Sequence, residues 1–143
     1  MNTISGFNGE HRFLSNFTPA PVRLDGVLYP SVECAYQAAK TRNPLERRAF
    51  ITATSSSAKR LGKTVTVSAD WEQRKIGVML QLLRQKFAKE PYRTRLLETR
   101  GAALVEANYW GDRFWGVCKG EGLNHLGRLL ETVRDELESV SNS

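Results

Sequence analysis

Cysteine is scarce. Cys34 and Cys118 are the only two in 143 residues, too few for a disulfide framework and without metal-ligand spacing. Histidine is equally sparse: His11 and His125 stand far apart, and neither neighbours a cysteine in sequence. No zinc site or other metal centre is expected, and a reducing cytoplasm is the natural setting. No apolar run approaches the roughly 20 residues that span a bilayer. The opening ten residues lack the basic and apolar regions of a secretory signal, so no membrane partner is expected. Gly-x-Ser-x-Gly, the P-loop and the Rossmann glycine fingerprint are all missing. Internal repeats, linkers and low-complexity tracts are missing too.

What is present fits one soluble domain over residues 1–143, long enough to bury a real core. Hydrophobic residues make up 41% and charged residues 25%, a globular balance. The net charge of +6 favours anionic partners, either nucleic acid or phosphorylated small molecules. Much of the excess lies along expected helices, at Lys59, Arg60, Lys63, Arg84, Lys86, Lys89, Arg93, Arg95 and Arg100. A solvated basic surface accounts for it equally well, so charge alone does not choose.

The first third reads as extended, with Asp25-Gly26 turning a hairpin between Val22-Arg23-Leu24 and Val27-Leu28-Tyr29. Ser31 is the expected N-cap of a helix through Lys40, and Asn43-Pro44 opens a second helix to about Ile51. Ser55-Ser56-Ser57 caps a third, ending near Gly62. Asp70-Trp71-Glu72-Gln73 resembles a capping box. The helix after it reaches about Ala88, with Ile76, Met79, Leu80, Leu83 and Phe87 as its core stripe. A further helix runs from Glu90-Pro91 to about Thr99, then a strand over 102–107 and a Gly/Trp-rich loop over 108–122. The last helix, from about Leu123 to Leu137, buries Leu126, Leu129, Leu130, Val133 and Leu137, and 138–143 reads as a frayed tail. The class is α+β, a helix-rich domain with a small β-sheet.

Three stretches exceed what packing asks for. In the helix after Ser31, Glu33, Tyr36, Gln37 and Lys40 recur at i, i+3, i+4 and i+7, one stripe carrying an acid, a phenol, an amide and an amine. Small residues (Cys34, Ala35, Ala38, Ala39) would let such a helix sit deep; an amphipathic surface helix accounts for the stripe as well. The second stretch is Arg12-Phe13-Leu14-Ser15-Asn16-Phe17, aromatics around a Ser-Asn pair, which a buried loop also explains. The third runs from Asn108 to Asn124 and holds Trp110-Gly111-Asp112 and Trp115-Gly116. Its aromatic faces suit a base or ribose, and its glycines bring backbone N–H groups toward phosphate at the start of the last helix. An aromatic corner of the core, with Asp112 as a turn former, explains it equally.

Taken together and in order, these segments resemble the NADAR (YbiA-like) family over nearly the whole chain. The match runs through Gly6-Phe7, Phe13-Leu14-Ser15-Asn16-Phe17, Tyr29-Pro30-Ser31-Val32-Glu33 and Tyr36-Gln37-Ala38-Ala39-Lys40. It continues through Ala58-Lys59-Arg60-Leu61-Gly62-Lys63, Asp70-Trp71, Met79, Lys86-Phe87, Trp110-Gly111-Asp112, Trp115-Gly116 and Gly122-Leu123-Asn124-His125-Leu126-Gly127. The resemblance implies an N-glycosidase acting on a ribosyl C1′–N bond to an exocyclic nitrogen. Two substrate classes go with it: phosphoribosylamino-pyrimidine intermediates of riboflavin synthesis, and ADP-ribose attached to guanine in DNA or RNA. In the second case the enzyme acts as antitoxin to an ADP-ribosyltransferase toxin.

Cleaving such a bond needs help for the leaving nitrogen, stabilisation of C1′ and a nucleophile. Glu33 is the expected acid/base residue, and Lys40 either grips a phosphate or hydroxyl or attacks C1′ as a neutral amine. Asp112 is the expected second carboxylate. Asn16, Gln37 and Asn124 are expected to orient ribose hydroxyls, and Trp71, Trp110 or Trp115 to stack the base. Arg12, Phe13, Ser15, Phe17, Tyr36 and Gly116 complete the expected substrate contacts. No cofactor enters this scheme. The family helix usually carries His directly after the Glu, where this chain has Cys34. Adjacent helical residues point about 100° apart, so a packing change with the core chemistry kept is expected there. A non-catalytic module binding NAD or ADP-ribose is the alternative. Glu33 and Lys40 together argue against it, because a pure anion binder gains little from a carboxylate in its pocket.

Overall fold

A computed structural model describes residues 2–141. In chain order the elements are β1 (Asn2–Ser5), a 3-10 helix (Gly9–Leu14), β2 (Val22–Leu24), β3 (Val27–Tyr29), α1 (Val32–Ala39), α2 (Pro44–Arg48), α3 (Ser55–Leu61), α4 (Trp71–Phe87), α5 (Tyr92–Glu98), β4 (Ala102–Val105), β5 (Ala107–Asn108), β6 (Val117–Cys118) and α6 (His125–Ser141). The class is α+β and helix-rich, and the strands pair as three two-stranded ladders among the described residues. The residues group into two compact units: Asn16–Lys86, and the segment through Ser15 together with the segment from Phe87 onward.

In Asn16–Lys86, Asp25 and Gly26 take positive φ of 49° and 81°. That geometry closes β2 on β3 with Val22 opposite Tyr29. Strand alternation sends Val22, Leu24 and Tyr29 into the core. Ser31 caps α1, its Oγ accepting the Cys34 N–H at 3.1 Å. Helix α1 packs against α2, α3, β2 and β3, and every residue of it is buried. Cys34, Ala35, Ala38 and Ala39 expose no surface, so small side chains let neighbours close on the helix.

Helix α2 is shorter than expected, and the cap of α3 is Thr54 rather than the serine run, its side chain accepting from the Ser57 N–H. In α4 the buried stripe is Met79, Leu82, Leu83 and Lys86, whereas Ile76, expected in the core, is 38% exposed. Met79, Leu83 and Phe87 are buried as expected, while Leu82 and Lys86 join the stripe in place of Ile76 and Leu80.

In the other unit β1 lies parallel to β4, with Asn2 opposite Ala102 and Ser5 opposite Val105. Neither β1 nor the 3-10 helix carries a periodic apolar pattern; β1 lies in the stretch read as extended, and the 3-10 helix departs from that reading. Helix α6 packs on β4, and a Cβ at Gly127 would stand 2.0 Å from the Leu104 carbonyl oxygen. Only glycine permits that approach. Arg134, 8% exposed, donates to the Thr99 carbonyl and hydroxyl oxygens at 3.0 Å each, tying α6 to the end of α5. The helix runs past Leu137 to Ser141, so the expected tail is helical over 138–141, while 142 and 143 lie outside the described residues. The expected strand over 102–107 divides into β4 and β5 around Glu106, whose N–H is taken by the Asn124 side chain at 3.0 Å. Among the described residues no helix is long and apolar enough to cross a membrane.

Candidate active site

The stripe on α1 is inside the protein. Glu33 is 8% exposed and Gln37 6%, and the Gln37 side-chain amide donates to Glu33 Oε2 at 2.7 Å. The Glu33 backbone N–H donates to the Asn16 carbonyl at 3.2 Å. Asn16 is buried as well, its Nδ2 directed at the Met79 sulfur at 3.6 Å. The side-chain oxygens of Asn16 and Gln37 have no hydrogen-bond donor among the described residues. A buried amide oxygen left unpaired costs about 1–3 kcal/mol, so Asn16 carries spare capacity to accept from a hydroxyl or amine.

Tyr36 lies against Trp71, with ring centroids 5.3 Å apart and planes tilted by 57°. The Arg74 guanidinium sits 5.4 Å from the Trp71 ring centre. Trp71 is therefore occupied by protein neighbours and only 5% exposed. It packs against Tyr36 and leaves little ring face open to a base. Lys40 is the residue that ends α1, with its amine 5.9 Å from the Tyr36 ring centre. Burial holds that amine below the ordinary lysine range; the Glu33 carboxylate pulls it back up, and Lys75 and Lys63 push it down. A lowered value increases the neutral, nucleophilic fraction near neutral pH.

A hydroxyl chain braces this arrangement. Ser55 donates to the Phe17 carbonyl at 2.9 Å, and its oxygen lies 2.9 Å from Ser31 Oγ. Because Ser55 has spent its one proton on Phe17, Ser31 is the donor to Ser55 while accepting from Cys34 N–H. The α1 cap, the start of α3 and the loop before β2 that carries Asn16 and Phe17 are thereby joined. Cys34 exposes no surface; its thiol donates to the Ala53 carbonyl at 3.4 Å, and burial pushes its pKa up.

The other expected residues lie in the second unit, and most serve its architecture. Asp112 Oδ1 accepts from the N–H groups of Phe114 and Trp115 at 3.1 and 2.9 Å. Its backbone exchanges hydrogen bonds with the Asn108 side chain. This carboxylate forms a turn. Asn124, at φ 53°, donates to the Leu104 carbonyl at 2.9 Å and accepts from Glu106 N–H at 3.0 Å. Its amide extends the β4 edge.

The α6 entry is equally engaged. The N–H groups of Leu123, Asn124, His125 and Leu126 bond to carbonyls of Arg113, Gly116, Phe114 and Trp115. The phosphate site expected there is filled by the chain itself. Gly116 is needed for space, since a Cβ would stand 2.1 Å from the Glu106 carbonyl oxygen. Trp115 packs on Phe114, centroids 4.9 Å apart. Phe13 is buried beneath the Arg95 guanidinium, 4.3 Å from its ring centre. Arg12 is exposed, Ser15 half-buried, and Trp110 half-exposed at 51%, edge-on to Tyr109.

Within Asn16–Lys86 the structure thus gathers Asn16, Phe17, Glu33, Tyr36, Gln37, Lys40 and Trp71. Sequence reasoning missed Gly62, Ser55, Lys63 and Lys75 here. The basic cluster at 59–63 was visible, but nothing local says that the Lys63 charge is felt at Lys40.

A family model described as the NADAR domain matches residues 5–138. The chain is 38% identical over 143 aligned residues to the chloroplastic riboflavin biosynthesis protein PYRR of Zea mays, covering 86% of this chain and 23% of that protein. It therefore spans under a quarter of that relative's length. It is 35% identical over 131 residues to N-glycosidase YbiA of Shigella flexneri, covering 86% of this chain and 79% of that one. The solution NMR structure of YbiA from E. coli superposes with a TM-score of 0.86 at 30% identity, covering 100% of this chain and 90% of that one.

Proposed function

The chain belongs to the NADAR family, and from that premise we propose that it is an N-glycosidase hydrolysing a ribosyl C1′–N bond to an exocyclic amine. One observation carries the reading: a buried carboxylate, Glu33, is held by the Gln37 amide on the same helix that ends in a desolvated amine, Lys40. A binding module for an anionic nucleotide has no use for the carboxylate. The N-glycosidase and riboflavin biosynthesis names of the relatives support the same reaction type.

Glu33 gives a proton to the departing nitrogen. The ribose opens as the C1′–O4′ bond breaks and the glycosidic N–H proton passes to O4′, leaving a C1′=N bond. The neutral Lys40 amine adds to C1′, the C1′–N bond to the base amine breaks, and a protonated Schiff base to Lys40 remains. Water then adds to that Schiff base, Glu33 accepts the proton, and the sugar leaves as Lys40 is regenerated. Asn16 receives a sugar hydroxyl on its unpaired oxygen, and Tyr36 and Phe17 line the sugar. Lys63 and Lys75 hold phosphate near Lys40.

The substrate that this reading favours is a phosphoribosylamino-pyrimidine. ADP-ribosylated guanine in DNA or RNA is the second reading, favoured by the net charge of +6, and an ADP-ribosyltransferase toxin partner goes with it. Incubation with each compound, followed by chromatography of the released base, separates the two. Binding with release of neither supports the non-catalytic NAD or ADP-ribose module and rejects the enzyme.

A further inference from the structure

Gly62 follows α3 with φ −59° and ψ −19°, a helical conformation open to any residue. The backbone therefore gives no reason for glycine at this position. Space does. A Cβ at Gly62 would stand 1.9 Å from Gln37 Oε1 and 2.7 Å from Gln37 Cδ, far inside van der Waals contact. The Gln37 carbonyl end rests on the bare Cα of Gly62 and takes no hydrogen bond there among the described residues. The other end of the same amide donates to Glu33 at 2.7 Å. Turning the amide over would set its oxygen against the carboxylate, so both ends are fixed together.

We propose that Gly62 is a positioning residue for Glu33: lacking a side chain, it admits the Gln37 amide, which in turn holds the carboxylate. This rests on the reading of Glu33 as the acid/base residue. A methyl group at position 62 overlaps the flexible Gln37 side chain and meets the Ala58 carbonyl oxygen of α3 only at 3.3 Å, so the hydrogen bond to Glu33 breaks while the helix survives. A carboxylate that loses a donor protonates more readily, because the hydrogen bond favours its charged form. Lys40 and Cys34, which interact electrostatically with Glu33, and the exposed Lys59 and Arg60 of α3 are the same in every variant compared.

The test is the Glu33 side-chain titration, followed by carbon-13 NMR on the full chain. It compares the wild type with Gly62→Ala, Gln37→Ala and the double variant. Each single substitution should raise the midpoint by about 0.5–1 unit, and the double should move no further than Gln37→Ala alone. Turnover should fall about tenfold in all three with KM little changed. A folded Gly62→Ala protein with the wild-type titration overturns the proposal, as does an additive shift in the double. If Gly62→Ala does not fold, the comparison passes to Gln37→Ala against the double. Equal melting temperatures and equal titrations support the proposal, and a less stable double overturns it. The titration is read without turnover, so it stands even where the glycosidase assay fails.

Discussion

Gln37 and Glu33 sit one turn apart on a helix with no exposed face, and the amide of one donates to the carboxylate of the other at 2.7 Å. That pairing separates a chemical stripe from a surface one. A solvated i, i+4 pair contributes a few tenths of a kcal/mol; a buried one fixes the orientation of the carboxylate toward whatever it must protonate.

Glu33→Gln should leave the fold intact, since glutamine has nearly the same shape and can still accept from Gln37. Base release should drop by about 10²–10⁴-fold while circular dichroism and melting temperature stay near wild type. A folded and fully active variant rejects the acid/base role.

Lys40 must be neutral to attack C1′, so rate should rise with pH as it deprotonates. Burial sets that rise below the ordinary 10.5 of lysine. Lys63→Met and Lys75→Met each remove a like charge that lowers the Lys40 value, so either should move the rise to higher pH. Borohydride added during turnover should trap a sugar adduct on Lys40, absent in Lys40→Arg. If nothing is trapped where a control aldimine is captured, Lys40 is a gripping cation instead.

Lys86 is 2% exposed, its amine donates to Thr18 Oγ1 at 2.8 Å, and burial brings its pKa down to about 7. The folded value lies below the unfolded 10.5, so between those two values the unfolded chain binds more protons and stability rises with pH. Below about 7 the folded state carries the full penalty of a buried ammonium. Relative to Lys86→Met, the wild type should therefore gain stability by a few kcal/mol from pH 7 to pH 10. Urea melts at several pH values read this, and a pH-independent difference contradicts it.

Asn124→Ala removes both partners of the β4 edge, the Leu104 carbonyl and the Glu106 N–H, and places alanine at φ 53°. A loss of about 2–4 kcal/mol is expected, measured by urea unfolding. A neutral result would return this side chain to the list of substrate contacts.

The elements whose causes are local could be read from the sequence. Asp25-Gly26 supplies positive φ for a tight turn, Ser31 supplies a cap, and the i, i+3, i+4, i+7 spacing places Glu33, Tyr36, Gln37 and Lys40 on one stripe whatever surrounds it. The ordered motifs also carried the family. Tertiary structure alone decided what those groups face. β1 pairs with a strand far along the chain and has no periodic signal of its own. Asp112, Asn124 and the start of α6 look like ligand groups in sequence, yet each is engaged by backbone that folding brings to it. Trp71 is likewise covered by Tyr36 and Arg74. Local patterns set dihedrals and periodicity, whereas which polar atoms stay unpaired depends on distant segments meeting. That is why the α1 stripe was legible as a pattern, while Gly62, which gives Gln37 its place, became visible only once α3 lay against α1.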